Sequence, residues 1–216
     1  MIERRLSSDP RAARAAIIDT RDQLQDASTT IARHASEHLP TIPVIMTHSA
    51  SSVVLALFRS MAENQQSFSV ICTQSSPGFE GHSLARALDE LSVPVTLITD
   101  AQMGLFVLEA DVVITGCDTW LDDGCFINKS GTYLLALAAQ AAGKSFWVLA
   151  DSFRNSDADS GSVELEEMPG EELNAPEGDW ITPRNGHLER VPRALGSQRN
   201  SEEGVATVTE GARGAG

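Results

Sequence analysis

Aspartate, lysine, arginine and serine gather where short apolar runs end, a pattern suited to holding an anion and moving a proton. Asp118 follows the β-branched run Val112–Ile114 and the break at Gly116, with no helix starting directly after it, so helix capping does not account for it. Lys129, one of two lysines beside Lys144, stands with Asn128 ahead of Gly131 and Thr132, where an apolar helix begins. The free N–H groups of a helix's first turn attract anions, so this entrance is expected to hold one. Ser49, Ser51 and Ser52 follow another apolar run, as hydroxyl donors to a ligand or as caps of the next helix. Asp100 reads as the cap of a helix from Ala101, His48 and Cys117 as packed side chains, and Arg154 as a further cation near the same rim. His34 and His38 have the i, i+4 spacing of metal ligands without a third donor, so no metal site is read there.

These residues need a scaffold that brings loop ends together. After Pro43, five apolar runs (Val44–Met46, Phe68–Ile71, Val95–Ile98, Val112–Ile114, Phe146–Leu149) alternate with four helical patterns (Val53–Met61, Leu84–Leu91, Met103–Leu108, Tyr133–Ala142). Strict alternation predicts an α/β fold, a doubly wound, Rossmann-like parallel sheet covered on both faces. The loops after the strands of such a sheet share one edge, so one crevice is expected to collect Ser49, Ser51, Ser52, Asp100, Asp118, Lys129 and Arg154. Upstream, Asp9 and Pro10 start a helix whose Ala-rich apolar stripe, Ala13 through Ile31 to Ala35, suits packing against a neighbouring helix until Leu39-Pro40 stops it. The expected organisation is a helical segment over 1–42, the α/β domain over 43–195 and a flexible tail over 196–216. Within it, an acidic connection from Asp157 to Asp179 precedes a short pairing segment at Trp180–Pro183, and Trp120 and Phe126 anchor the loop around Asp122–Gly124.

A net charge of -14 and a pI near 4.6 exclude sequence-independent nucleic-acid binding, which needs clustered Lys and Arg, and disfavour an anionic membrane. Positive charge carried almost wholly by arginine on so acidic a chain points to a high-salt cytoplasm, where salt screens self-repulsion. Three cysteines without C-x-x-C spacing predict a reduced, cytoplasmic protein, and no run reaches the roughly 18 apolar residues of a membrane span. Neither G-x-G-x-x-G nor a Walker element occurs, and no cofactor is expected.

Asp118 with Gly124, then Asn128-Lys129-Ser130-Gly131-Thr132-Tyr133 and Ala150-Asp151-Ser152-Phe153-Arg154, resemble the family of the α, β and δ subunits of translation initiation factor 2B. That family includes isomerases of ribose 1,5-bisphosphate and 5-methylthioribose 1-phosphate. Thr47-His48-Ser49 and Pro77-Gly78-Phe79-Glu80-Gly81 fall at its other loop motifs, while Ile181-Thr182-Pro183 and Thr209-Glu210 with Gly214 are similar to its closing segment. The resemblance implies that Asp118 takes the isomerases' catalytic aspartate position and that Ser51, Ser52, Asn128, Lys129 and Arg154 hold substrate and phosphate. The chain departs from the isomerases at Ser49, where they carry a cysteine, and at Gln74 and Ser76, where they carry an acidic residue and an arginine. A serine hydroxyl does not ionise near neutral pH as a thiol can, so Ser49 is a poor proton acceptor. Two readings follow: a regulatory or interaction protein with a retained sugar-phosphate or nucleotide pocket, paired with a second copy or a related subunit, or an aldose-ketose isomerase of a ribose phosphate.

Overall fold

The computed structural model describes residues 10–208, so Asp9, the expected helix cap, and Thr209–Gly216 lie outside the described residues. The elements are α1 (Pro10–Glu37), β1 (Val44–Thr47), α2 (Ser52–Glu63), β2 (Ser69–Thr73), α3 (Glu80–Glu90), β3 (Val95–Ile98), α4 (Met103–Phe106), β4 (Val112–Thr115), β5 (Thr119–Leu121), β6 (Cys125–Lys129), α5 (Thr132–Ala141), β7 (Ser145–Leu149), β8 (Asn155–Ser156), β9 (Leu188–Pro192), β10 (Gln198–Ser201) and β11 (Gly204–Thr207). The five expected strands and four expected helices all occur, α4 being one turn flanked by 3-10 turns at Asp100–Gln102 and Val107–Glu109.

Among the described residues, seven strands form the main sheet in the order β11-β10-β7-β4-β1-β2-β3. β1 pairs in parallel with β2 on one side and β4 on the other, so the crossovers reverse direction between β1 and β4. Ligand crevices of open α/β sheets lie outside the carboxyl ends of strands at such a reversal. Both faces are covered because successive side chains alternate sides. Val112 and Ile114 join Ile31, Leu57, Phe58 and Leu88 beneath α1 to α3, while Val113 joins Met46, Met103, Leu135 and Phe146 beneath α4 and α5. The stripe of α1 works over its second half only: Ala27, Ile31, Ala32 and Ala35 are buried, but Ile17 and Ile18 are 57% and 42% exposed. His34 Nδ1 donates to the Ser201 carbonyl at 3.0 Å and ties α1 to the turn between β10 and β11.

Three expectations change. The segment after Asp118 is a β5–β6 hairpin turning at Gly124, with Trp120 and Phe126 paired across it and stacked at 5.8 Å, inside a second sheet of order β8-β5-β6-β9. Trp180–Pro183 does not pair; Trp180 is 98% exposed, and the neighbouring bridge joins Glu167 to Gly186 instead. Within the described part of the expected flexible tail, 196–208, two strands form: β10 pairs in parallel with β7, and β11 returns antiparallel along it. β7 is apolar and buried from Phe146 to Leu149, and its outer edge of backbone N–H and C=O groups requires partners. The polar β10 supplies them through its own backbone.

Candidate functional site

The reversal between β1 and β4 opens into a pocket of about 310 Å3, near the lower end of the range for small-molecule sites. Ser49, Ser51, Ser52, Asp118, Asn128, Lys129 and Arg154 all line it; Asp100, Gly131 and Thr132 do not. Chain reversal after β1 forces Ser49 into the left-handed region (φ 64), and its N–H donates to Ser75 Oγ at 2.7 Å. Ser51 stands at the N-cap of α2 in extended conformation, yet its side chain makes no capping bond. Its hydroxyl is turned toward β4 instead, where a Cβ at Gly116 would sit 2.3 Å from Ser51 Oγ; only glycine allows the start of α2 so near that strand end.

Asp118 is pinned by its backbone, its N–H donating to the Ile127 carbonyl at 2.9 Å. Its side chain is 48% exposed, with Oδ1 3.9 Å from Arg154 Nη1. Burial by the surrounding loops raises its pKa above the ordinary aspartate value, against the opposing pull of Arg154 and then Lys129. Arg154 is shared, since its Nε lies 3.8 Å from Asp151 Oδ2.

His48 lines the pocket and is itself buried, as a packed histidine should be. Burial lowers its pKa, and the neutral ring commits both nitrogens: Nε2 donates to the Ser130 carbonyl at 2.7 Å and Nδ1 accepts from Thr73 Oγ1 at 2.6 Å. Gly131 (φ +104) passes so close that a Cβ there would lie 2.8 Å from the imidazole. Asp100 does not cap a helix: Thr99 does so, with Gln102 reaching back, while the Asp100 carboxylate accepts from the N–H groups of Ser75 and Ser76 at 2.9 and 2.7 Å.

The anion expected at the start of α5 is already present as a side chain. Glu189 Oε1 accepts from the N–H groups of Gly131 and Tyr133, both at 2.8 Å, so this helix end is satisfied from within. Thr132 is buried, donating to the Lys129 carbonyl at 2.6 Å and accepting from Asn128 Nδ2 at 2.9 Å. In this structure Gly131 and Thr132 shape the turn, with the N–H of the first and the hydroxyl of the second engaged inside the protein. Sequence reasoning placed no element at β9, and so could not deliver Glu189 to this point.

Lys129 is the other surprise. Its Nζ lies 2.6 Å from Glu80 Oε1, with side chains 8% and 35% exposed, and 3.5 Å from His187 Nδ1. Lysine only donates, so His187 Nδ1 accepts and Nε2 carries the hydrogen to Glu172 Oε2 at 2.7 Å. Glu80 and His187 both line the pocket and neither was expected as a site residue. Glu80 had a signal in the loop motif Pro77–Gly81; His187, after the acidic connection, had none. Cys117 also lines the pocket, but burial pushes its pKa up to about 12, so the thiol stays protonated and does not stand in for a missing thiolate.

The sequence model of the Initiation factor 2 subunit family matches residues 3–198. A putative translation initiation factor eIF-2B subunit 2-like protein of Pyrococcus horikoshii is 42% identical over 132 residues, covering 61% of this chain and 48% of its own. A ribose 1,5-bisphosphate isomerase of Haloferax volcanii is 31% identical over 145 residues, covering 65% and 45%. The chain thus spans about half the length of these relatives. Among solved structures, a Pyrococcus horikoshii translation initiation factor eIF-2B superposes with a TM-score of 0.86 at 32% identity, over 95% of this chain and 74% of that one. The fold is also that of 5-methylthioribose 1-phosphate isomerase from the same organism, with a TM-score of 0.79 at 21% identity over 93% and 62%.

Proposed function

Because the chain belongs to the Initiation factor 2 subunit family, we propose that it is an initiation-factor-2B-like regulatory or interaction protein of the cytoplasm, which retains a pocket for a sugar phosphate or nucleotide and does not turn its ligand over. The observation that carries this reading is the shortage of proton carriers around Asp118. Moving a proton between adjacent carbons needs a base and an acid facing each other across the substrate. Ser49 is a hydroxyl, Cys117 a protonated thiol, His48 is neutral with both nitrogens engaged, His187 is tied at its two nitrogens to Lys129 and Glu172, and Glu80 is held by Lys129. What remains suits binding: Arg154, the hydroxyls of Ser51 and Ser52, and a helix start without a side-chain cap. Pairing with a second copy or a related subunit is supported by the apolar outer face of α4 and α5 and the turn after α4, where Leu105, Leu108 and Leu134 are 63%, 63% and 64% exposed.

The second reading is a ribose-phosphate isomerase, favoured by one feature, an aspartate of raised pKa at the pocket wall. Purified protein assayed with ribose 1,5-bisphosphate and 5-methylthioribose 1-phosphate, at high and low salt, separates the two. Ligand binding that is weakened in Arg154→Ala, with no turnover, is the expected result. Turnover that disappears in Asp118→Asn would overturn the non-catalytic reading. The same preparation is expected to sediment as a species larger than the 23.1 kDa monomer.

A further inference from the structure

The reading that this pocket holds a phosphorylated small molecule leaves open how many phosphates it accepts, and the charges on its wall bear on that number. Two fixed cations line it, Lys129 and Arg154. They are not equally available. Arg154 stands 3.9 and 3.8 Å from the carboxylates of Asp118 and Asp151, loose contacts that a ligand can replace. Lys129 is in a close pair with Glu80 at 2.6 Å, its side chain 8% exposed, so its charge is already met inside the protein. Glu80 is the first residue of α3, and its second carboxylate oxygen, Oε2, is buried without a hydrogen-bond partner. A buried acceptor left unpaired is costly, so the carboxylate depends on its close contact with Lys129.

With Glu80 and Asp118 set against Lys129 and Arg154, the formal charge of the lining balances. Each phosphate monoester adds roughly −1.5 to −2 at pH 7. One phosphate finds Arg154 and the start of α2. A second, at the Lys129 end, would meet the Glu80 carboxylate on the ammonium it needs, and juxtaposed like charges are a strong means of rejecting a ligand. We propose that Glu80 is a specificity-determining residue: by occupying Lys129 it admits a ligand with one phosphate and rejects a bisphosphate.

Isothermal titration calorimetry of the whole chain, Glu80→Gln and Glu80→Ala, with ribose 5-phosphate and ribose 1,5-bisphosphate at matched ionic strength, tests this. The wild type is expected to bind the monophosphate about tenfold tighter or more, and both variants to move the ratio of the two dissociation constants toward the bisphosphate by about tenfold. Circular dichroism confirms that each variant is folded, and Glu80→Ala repeats the loss of charge with a different side chain. A ratio that stays put in a folded variant, or a wild type that prefers the bisphosphate, overturns the role of Glu80 while leaving a phosphate pocket intact. Failure of both ligands to bind any folded protein of the set overturns the phosphate pocket itself, and the selectivity with it.

Discussion

Replacing Glu189 with alanine would test whether the start of α5 is a structural joint or a ligand site. The carboxylate accepts two backbone N–H groups, from Gly131 and Tyr133, both at 2.8 Å. Loss of a helix-capping side chain costs about 0.5–2 kcal/mol, and a negative charge at a helix N-terminus adds roughly 0.3–1 kcal/mol. Glu189 is half-buried, so solvent screens part of the charge effect, and we expect the sum to fall near 1–2 kcal/mol. For a chain of this size that lowers the melting temperature by roughly 2–8 °C. The assay is urea unfolding of wild type, Glu189→Ala and Glu189→Gln, the last retaining an uncharged acceptor and falling between the other two. A loss below about 0.5 kcal/mol in Glu189→Ala would refute the capping argument. So would a stronger affinity of that variant for inorganic phosphate with unchanged stability, because it would mean that the helix start had been waiting for an anion.

Two further outcomes follow from titratable groups. Asp118 has a folded-state pKa raised by burial above its ordinary value of 3.8, so the contribution it makes to stability is present below that value and lost as pH rises through the raised one. Asp118→Asn should therefore be more stable than wild type at pH 7 and lose that advantage near pH 3, read from urea midpoints; an advantage that grows toward low pH would contradict the burial of this carboxyl. Burial pushes the thiols of Cys72 and Cys117 up to about 11 and about 12, whereas Cys125 is part-exposed. A colorimetric disulfide reagent at pH 7.5 should therefore react rapidly with one thiol per native chain and with all three after denaturation; three rapid equivalents in the native state would count against the packing around β2 and β4.

The alternation from Val44 to Leu149 was legible because strands buried on both faces must be continuous apolar runs, such as Val112-Val-Ile-Thr. The remaining strands carry no such mark. Gln198-Arg-Asn-Ser pairs through its backbone, and Leu188-Glu-Arg-Val-Pro buries Val191 alone, so composition read both as surface chain. The pocket was legible to the same extent as the strands that build it. Ser49, Ser51, Ser52, Asp118, Asn128, Lys129 and Arg154 arrive together because strand order fixes where their loops end. What Lys129 pairs with, and what fills the start of α5, depended on Glu80, His187 and Glu189, two of which arrive from beyond the acidic connection. Contacts of that sequence separation leave no periodicity to read.

Three indoles divide sharply between two environments, Trp120 and Trp147 being 8% and 7% exposed against 98% for Trp180. Native emission thus has a shielded component and a hydrated one, and caesium ion, which an acidic surface attracts, should extinguish the second while sparing the first. Whatever settles on the acidic loop announces itself optically, with no dye attached and no residue replaced.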